Sequence, residues 1–336
     1  MRPLVSIVTT FYNSVSLGDF VQSAMQCLLQ QTYENLEFIC VNDGSLDTTL
    51  SELEEFQKKD SRIKIFTKKN QKYAQYSKAY GQEKATGEYI FLFDHDDLIE
   101  EDCIEKAMQI FLNNPEVDIV TPMVLAKFTD GKIKYLSNFD IYIQDRKDFT
   151  PRLLSGKETI QKTVGKYDIH IRGLYRSQTF KSHSFNFTEP LLNADEIVER
   201  KIFEEARFIA SCDSVYTHYI HSNSSAKSLS LKQIDIVRTD LLLRELFKSK
   251  NIYESRSKIF ENTANRNLIN AAKTFAHFEK SLSKEEKEKQ LNRIKESFAE
   301  LDKKKVLAQK KGLSKVYNAF LLSNLSLFLN FYRIKS

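Results

Sequence analysis

The chain has 336 residues, 41% of them hydrophobic, with 24 Phe and 15 Tyr but no Trp. That is enough for one large domain or a domain plus an appendage, each with a core. Only 9 Gly and 5 Pro exclude collagen-like repeats, low-complexity disorder and a turn-rich β-sandwich. The net charge of +5 is unevenly spread. Residues 227–336 carry 24 Lys+Arg against 12 Asp+Glu, which leaves 26 against 33 for residues 1–226. An acidic first part and a basic last part point to different partners for the two. Cys27, Cys40, Cys103 and Cys212 are far apart, without the spacing of a disulfide framework or a zinc site, so a reducing, cytoplasmic setting is expected. The apolar run Leu4 to Thr10 is too short for a signal peptide and predicts a strand. No stretch reaches the roughly 18 apolar residues of a membrane span.

Strands and helices alternate from the start. The β-branched run Leu4 to Thr10 predicts a buried strand, with Phe11-Tyr12-Asn13-Ser14 as its carboxyl-end loop. Asp19 to Gln31 has helical apolar spacing. Leu36 to Val41 predicts a second strand ending in Asn42-Asp43-Gly44-Ser45. A helix over Thr48 to Lys58, a strand over Ile63 to Thr67 and a helix over Tyr73 to Thr86 follow, the last stopped by Gly87. Then come a strand over Glu88 to Phe93, a helix over Ile104 to Leu112 and a strand over Val117 to Thr121. This alternation with short connections implies a parallel sheet covered by helices. Its strand-end loops share one edge, so Thr10 to Asn13, Asp43 to Ser45 and Asp94 to Asp97 are expected close together.

After residue 122 the pattern loosens. Met123 to Lys134 predicts a strand pair turning at Asp130-Gly131, and residues 137–166 a loop and short helix over the site. A strand is expected over Tyr167 to Tyr175, a short helix over Ser177 to Ser182 and a helix over Asp195 to Ala206. Two short strands follow, Phe208 to Ala210 and Ser214 to Ile220, and a loop over 222–228. From Lys232 onward only helices are predicted: Gln233 to Lys250, Ser255 to Phe278, Lys284 to Leu307 and Leu313 to Arg333. The domains expected are therefore 1–226, with halves at 1–122 and 123–226, and a basic helical region at 227–336.

The chemically telling stretch is Phe91-Leu92-Phe93-Asp94-His95-Asp96-Asp97. An apolar strand runs into three carboxylates within four residues, which repel unless a cation sits among them. Mg²⁺ and Mn²⁺ favour such oxygen ligands and bridge them to phosphate oxygens. The strand end therefore suggests a metal–diphosphate site. The alternative is a solvated acidic turn in which Asp96 or Asp97 caps the next helix.

Five blocks together resemble the family 2 glycosyltransferases. They are Val5 to Asn13; Gln31-Thr32-Tyr33-Glu34-Asn35-Leu36-Glu37; Val41-Asn42-Asp43-Gly44-Ser45-Leu46-Asp47-Thr48; Ala85-Thr86-Gly87-Glu88-Tyr89-Ile90; and Asp94-His95-Asp96-Asp97. The resemblance continues more weakly through Gly173-Leu174-Tyr175-Arg176 and Asp195-Glu196 to about Ser225. It implies the GT-A fold: an α/β, mostly parallel central sheet flanked by helices, here with an appended all-α C-terminal region. It further implies inverting transfer of a sugar from a nucleotide-sugar, with UDP the expected nucleotide, to a hydroxyl of a glycan or lipid-linked glycan in surface-polysaccharide synthesis. Thr10, Tyr12 and Asp43 would hold the base and ribose, with Asn13 in the same nucleotide loop. Lys78 would stand at the diphosphate, in place of the family's Arg. Asp94 would reach the ribose or the metal shell, Asp96 would ligate Mn²⁺ or Mg²⁺, and Asp97 would orient that ligand. Asp195 falls at the catalytic base, with Glu196 the alternative because Ala194 replaces the first acid of the family's pair. The family's late Arg has no clear match; His218 or His221 occupies that neighbourhood.

Such a base takes the acceptor proton, and a divalent cation stabilises the departing diphosphate. A nucleotidyltransferase would instead want a Gly-rich, Arg-containing loop after the first strand, which Thr10-Phe11-Tyr12-Asn13 is not. A non-catalytic membrane- or nucleic-acid-binding protein with a degenerate transferase domain is opposed by the intact Asp94 and Asp96, and no nucleic-acid partner is expected. Lys303 to Lys315 beside the apolar Val316 to Tyr332 fits either a segment lying on an anionic membrane, with residues 303–332 in contact, or helix packing and homo-oligomer formation.

Overall fold

The computed structural model describes residues 2–136, 153–165, 172–185, 187, 189, 191–220 and 230–335. The chain packs as two compact units: residues 1–160, 168–187 and 198–224, and residues 161–167, 188–197 and 225–336.

The first unit is built on one sheet. Strands β1 (Val5–Phe11), β2 (Leu36–Asn42), β3 (Ile63–Thr67) and β4 (Tyr89–Asp94) lie parallel in the order β3-β2-β1-β4. They are joined by α1 (Ser14–Gly18) with α2 (Phe20–Leu29), then α3 (Thr49–Lys59), then α4 (Ala74–Lys84). β2 is buried throughout and β1 at every residue but Thr10, as expected of parallel strands covered on both faces. Phe38, Phe91 and Phe93 from the sheet meet Met25 of α2 in one apolar cluster. A Cβ on Gly87 would sit 2.7 Å from the Ser6 nitrogen, so only glycine lets the turn before β4 lie against β1.

The chain then forms β5 (Leu98–Ile99), α5 (Cys103–Asn113), β6 (Val117–Phe128), β7 (Ile133–Leu136), β8 (Leu153–Ser155), α6 (Gly156–Thr163), β9 (Leu174–Arg176), α7 (Ser177–Lys181), α8 (Asp195–Glu205) and β10 (Phe208–Ile220). The sheet continues β4-β9-β6-β10-β5, with β9 antiparallel to both its neighbours. The strand predicted over Tyr167 to Tyr175 is thus only Leu174–Arg176 among the described residues; 166–171 lie outside them, as do 137–152 of the expected cover and the loop at 222–228.

Two expectations are corrected here. The strand over Val117 to Thr121 does not stop before Pro122 but runs on to Phe128. The two short strands at Phe208 and Ser214 are one, β10. The reason is local: β10 breaks register between Ser211, opposite Thr121, and Val215, opposite Met123. Pro122 cannot donate to a ladder, and the partner strand bulges past it. The bulge is held by the Glu100 carboxylate, which accepts from the Ser214 hydroxyl at 3.2 Å and the Val215 N–H at 3.0 Å.

The second unit is helical in its C-terminal part: α9 (Ile236–Ser249), α10 (Tyr253–Phe278), α11 (Lys284–Glu300), α12 (Lys303–Leu307), α13 (Gly312–Ser323) and α14 (Leu325–Lys335). Two long predicted helices are each broken. Leu301 is extended and Asp302 caps α12 by accepting from the Lys305 N–H. Asn324 is extended, and its side-chain oxygen accepts from the Ser326 N–H at 2.7 Å. Such local side-chain bonds compete with the helix and restart it. Inside this unit the buried Glu261 takes Arg244 at 2.9 Å, the Tyr253 hydroxyl at 2.7 Å and the Asp302 N–H at 2.9 Å. Among the described residues, no helix is long and apolar enough to cross a membrane.

Candidate active site

The carboxyl ends of β2, β1 and β4 lie side by side. Thr10 pairs with Val41 on one side and Asp94 on the other. The Asp43 N–H donates to the Phe11 carbonyl at 2.8 Å, which ties the loop after β2 to the end of β1. Asn13 adopts a left-handed conformation, and its side-chain oxygen accepts from the Leu46 N–H at 2.8 Å. Asn13 thus locks the two loops together, and Tyr12 beside it is exposed.

Asp43 is buried, and its carboxylate receives Lys68 at 2.9 Å and the Asn70 side chain at 3.1 Å. Gly44 follows at φ +67, where an added Cβ would lie 2.9 Å from the Asn70 nitrogen. The close approach of Asn70 therefore needs the glycine.

The acidic turn forms the other side of this edge. Asp94, Asp96 and Asp97 offer carboxylate oxygens within 4.8 Å of one another. They are not equivalent. Asp97 is buried, with its oxygens held by the Tyr216 hydroxyl at 2.6 Å, the Tyr219 N–H at 3.0 Å and His218 Nδ1 at 2.9 Å. Burial pushes the Asp97 carboxyl up, while the contact with His218 opposes that. Burial pulls His218 down, but the Asp97 carboxylate outweighs it and raises the imidazole above its usual value. Asp94 is paired with the buried Arg172, and Lys78 of α4 lies 3.7 Å from its Oδ1. Burial would raise the Asp94 carboxyl, but these two cations hold it well below the usual carboxylate range. Asp96 is partly buried between them in sequence.

This donor set fits a hard divalent cation, because three carboxylates converge on one turn. The hydrogen bonds divide the work: Asp97 braces the turn against β10, leaving Asp94 and Asp96 on its partly exposed side. The structure thus brings together Thr10, Asn13, Asp43, Lys78, Asp94 and Asp96 in the first unit. Asp195 and Glu196 open α8 and belong to residues 188–197 of the second unit. Glu196 is buried, and its N–H donates to Asp195 Oδ1 at 3.2 Å.

Four participants escaped the sequence reading. Lys68 and Asn70 follow β3, so the rule that strand-end loops share one edge could have flagged them. Arg172 and Tyr216 gave no local signal, since their meeting with the acidic turn depends on how distant strands are ordered.

The glycosyl transferase family 2 model matches residues 6–177. The chain is 26% identical over 208 residues to the glycosyltransferase GlyG of Streptococcus pneumoniae, covering 62% of this chain and 60% of GlyG. It is 30% identical over 235 residues to the putative glycosyltransferase EpsH of Bacillus subtilis, covering 66% of this chain and 62% of EpsH. It therefore spans about six-tenths of either relative. Among solved structures, Staphylococcus aureus TarS 1–349 in complex with UDP-GlcNAc aligns with TM-score 0.65 at 17% identity, over 98% of this chain and 89% of that one. The mannosyltransferase PcManGT from Pyrobaculum calidifontis, in complex with GDP-Man and Mn²⁺, aligns with TM-score 0.54 at 13% identity, over 99% and 86%. At these identities the likeness is one of fold, and that fold is the GT-A arrangement expected from the five blocks. With the family model spanning half of the chain and the same strand-end edge carrying its motifs, the chain belongs to glycosyl transferase family 2.

Proposed function

We propose that this chain is an inverting, metal-dependent glycosyltransferase that moves a sugar from a UDP-sugar to a hydroxyl of a glycan or lipid-linked glycan acceptor in surface-polysaccharide synthesis. The observation that carries the reading is the placement of Asp43 and the Asp94–Asp96 pair at the carboxyl ends of strands flanking β1. That spacing suits a nucleoside at Asp43 and a diphosphate at the acidic turn. The TarS complexes with UDP and UDP-GlcNAc support a uridine donor, and the GDP-Man complex of PcManGT supports a nucleotide-sugar in general. The relative TuaG of Bacillus subtilis, a putative teichuronic acid biosynthesis glycosyltransferase 30% identical over 111 residues, supports a surface polymer as product.

In this reading Thr10, Tyr12, Asn13 and Asp43 hold the base and ribose. Asp94 and Asp96 would hold Mn²⁺ or Mg²⁺, which when bound stabilises negative charge on the leaving diphosphate. Lys78 and Arg172 add fixed positive charge beside Asp94. Asp195, or the buried Glu196, takes the proton from the attacking hydroxyl. Residues 1–226 serve as the transferase domain, 1–122 for the nucleotide and 123–226 for the acceptor, and residues 227–336 as a helical appendage. A cytoplasmic protein, peripheral at the inner membrane face, matches a lipid-linked acceptor.

The test is to incubate the chain with a panel of nucleotide-sugars, with and without Mn²⁺, and to detect released nucleotide. Metal-dependent UDP release from one donor, lost in Asp96→Ala, is the expected result. No release, with no calorimetric binding of UDP or any UDP-sugar, would overturn the reading. Anomeric NMR of the product then checks inversion, and Asp195→Asn against Glu196→Gln identifies the base.

A further inference from the structure

The last 34 residues of the chain, 303–336, contain eight Lys and Arg and no Asp or Glu. The sequence offers Val316 to Tyr332 as one apolar-rich stretch, but the fold divides it. In α14, Phe328, Leu329 and Tyr332 are buried, with Phe328 against Phe298 at 5.3 Å between ring centroids. In α13 the opposite holds. Leu313 is 87% exposed, Val316 68%, Tyr317 44% and Phe320 60%. These four sit at i, i+3, i+4 and i+7, so they form one stripe along the helix. Lys315 is exposed and falls on the opposite side by helical spacing, and Lys304, Lys310 and Lys311 precede the helix. Only Leu321 and Leu322 of α13 are buried; they fasten its carboxyl end.

We infer that α13 is a membrane-docking helix, which lays its Leu313–Val316–Tyr317–Phe320 stripe into an anionic phospholipid surface. Its lysines extend to the headgroups, as long cationic side chains do at an interface. Charge decides the occupant. A second copy pressed stripe to stripe would offer these acid-free, lysine-rich segments no carboxylate from its own residues 303–336. An anionic bilayer attracts them, each lysine near the surface contributing about a fivefold gain in affinity. The inference does not rest on the transfer reaction and stands or falls apart from it.

The absence of native Trp supplies a clean probe. In the full chain, Phe320→Trp should shift its emission to the blue when phosphatidylglycerol-containing vesicles are added, and stay unshifted with purely phosphatidylcholine vesicles. The unmodified chain should float with the anionic vesicles, less so at high salt. Val316→Asp with Phe320→Asp should abolish flotation without altering the thermal melt, since both side chains are exposed. Neutralising Lys310, Lys311 and Lys315 to Gln should weaken binding on the order of a hundredfold. Failure to float, equal binding to neutral vesicles, or unchanged flotation of the Asp variant would each overturn the inference. So would a dimer in light scattering that the Asp variant converts to monomer, which would assign the stripe to a second copy.

Discussion

The Tyr216 hydroxyl lies 2.6 Å from Asp97 Oδ2, joining two residues 119 positions apart. The same oxygen accepts from the Asp94 N–H at 3.3 Å, so one phenol on β10 orders both ends of the acidic turn. Tyr216→Phe removes it. The buried Asp97 then loses a donor, and the expected cost is about 1–3 kcal/mol of stability. Denaturant unfolding measures it, and titration of UDP-sugar turnover with Mn²⁺ should show a higher metal requirement. Unchanged curves for both would mean that this bond does not shape the turn.

Asp43 is the sharpest test of nucleotide placement. Its carboxylate is already oriented by Lys68 and Asn70, so it can meet a base without reorganising. Asp43→Ala removes a charge-assisted bond of about 1.5–3 kcal/mol, which is roughly a ten- to hundredfold loss in UDP affinity. Calorimetry reads it directly. UDP affinity equal to that of the unmodified chain would take Asp43 out of the binding site.

Glu37 makes acid stability predictable. Burial would raise its pKa, but Lys64 at 2.6 Å, the Ser6 hydroxyl, and the Thr86 N–H at 2.7 Å with its hydroxyl at 2.9 Å bring it down to about 2 from an ordinary 4.5. A folded pKa below the unfolded one means stability that is present above pH 4.5 and lost as pH falls toward 2. The size is of order 3 kcal/mol. Glu37→Gln should flatten the dependence of unfolding free energy on pH across that window. An equally steep loss in the variant would assign acid sensitivity to other carboxylates.

In the second unit, Glu261→Ala strands the buried Arg244 without its carboxylate and leaves the Asp302 N–H without an acceptor. Removing one partner of a buried pair costs about 3–5 kcal/mol. The paired change Arg244→Met with Glu261→Leu should recover much of that loss, because no buried charge is left behind. Thermal melts of the single and double variants decide it. A double variant as unstable as Glu261→Ala would mean that the ion pair itself, rather than its uncompensated half, holds α9 to α10.

Much of this protein could be read from its sequence. β-branched runs alternating with helical spacing dictated four parallel strands, and a chain that alternates in this way must gather its strand-end loops on one edge. Thr10, Asn13, Asp43 and Asp94 were legible for that reason, as local patterns at predictable places. What local pattern could not supply was whatever depends on the meeting of distant segments. Arg172 reaches Asp94 only because β9 inserts antiparallel between β4 and β6. Tyr216 and His218 reach Asp97 only because β10, after bulging past Pro122, carries them there. The breaks at Leu301 and Asn324, and the burial of α14 beside an exposed α13, follow from caps and tertiary packing, which apolar spacing along one helix does not encode. The sequence by itself determined the sheet's parallel half and the residues along its edge. Tertiary structure alone decided which charges those residues face and which apolar stripe is left to solvent, because both are set by register between strands and helices far apart in the chain.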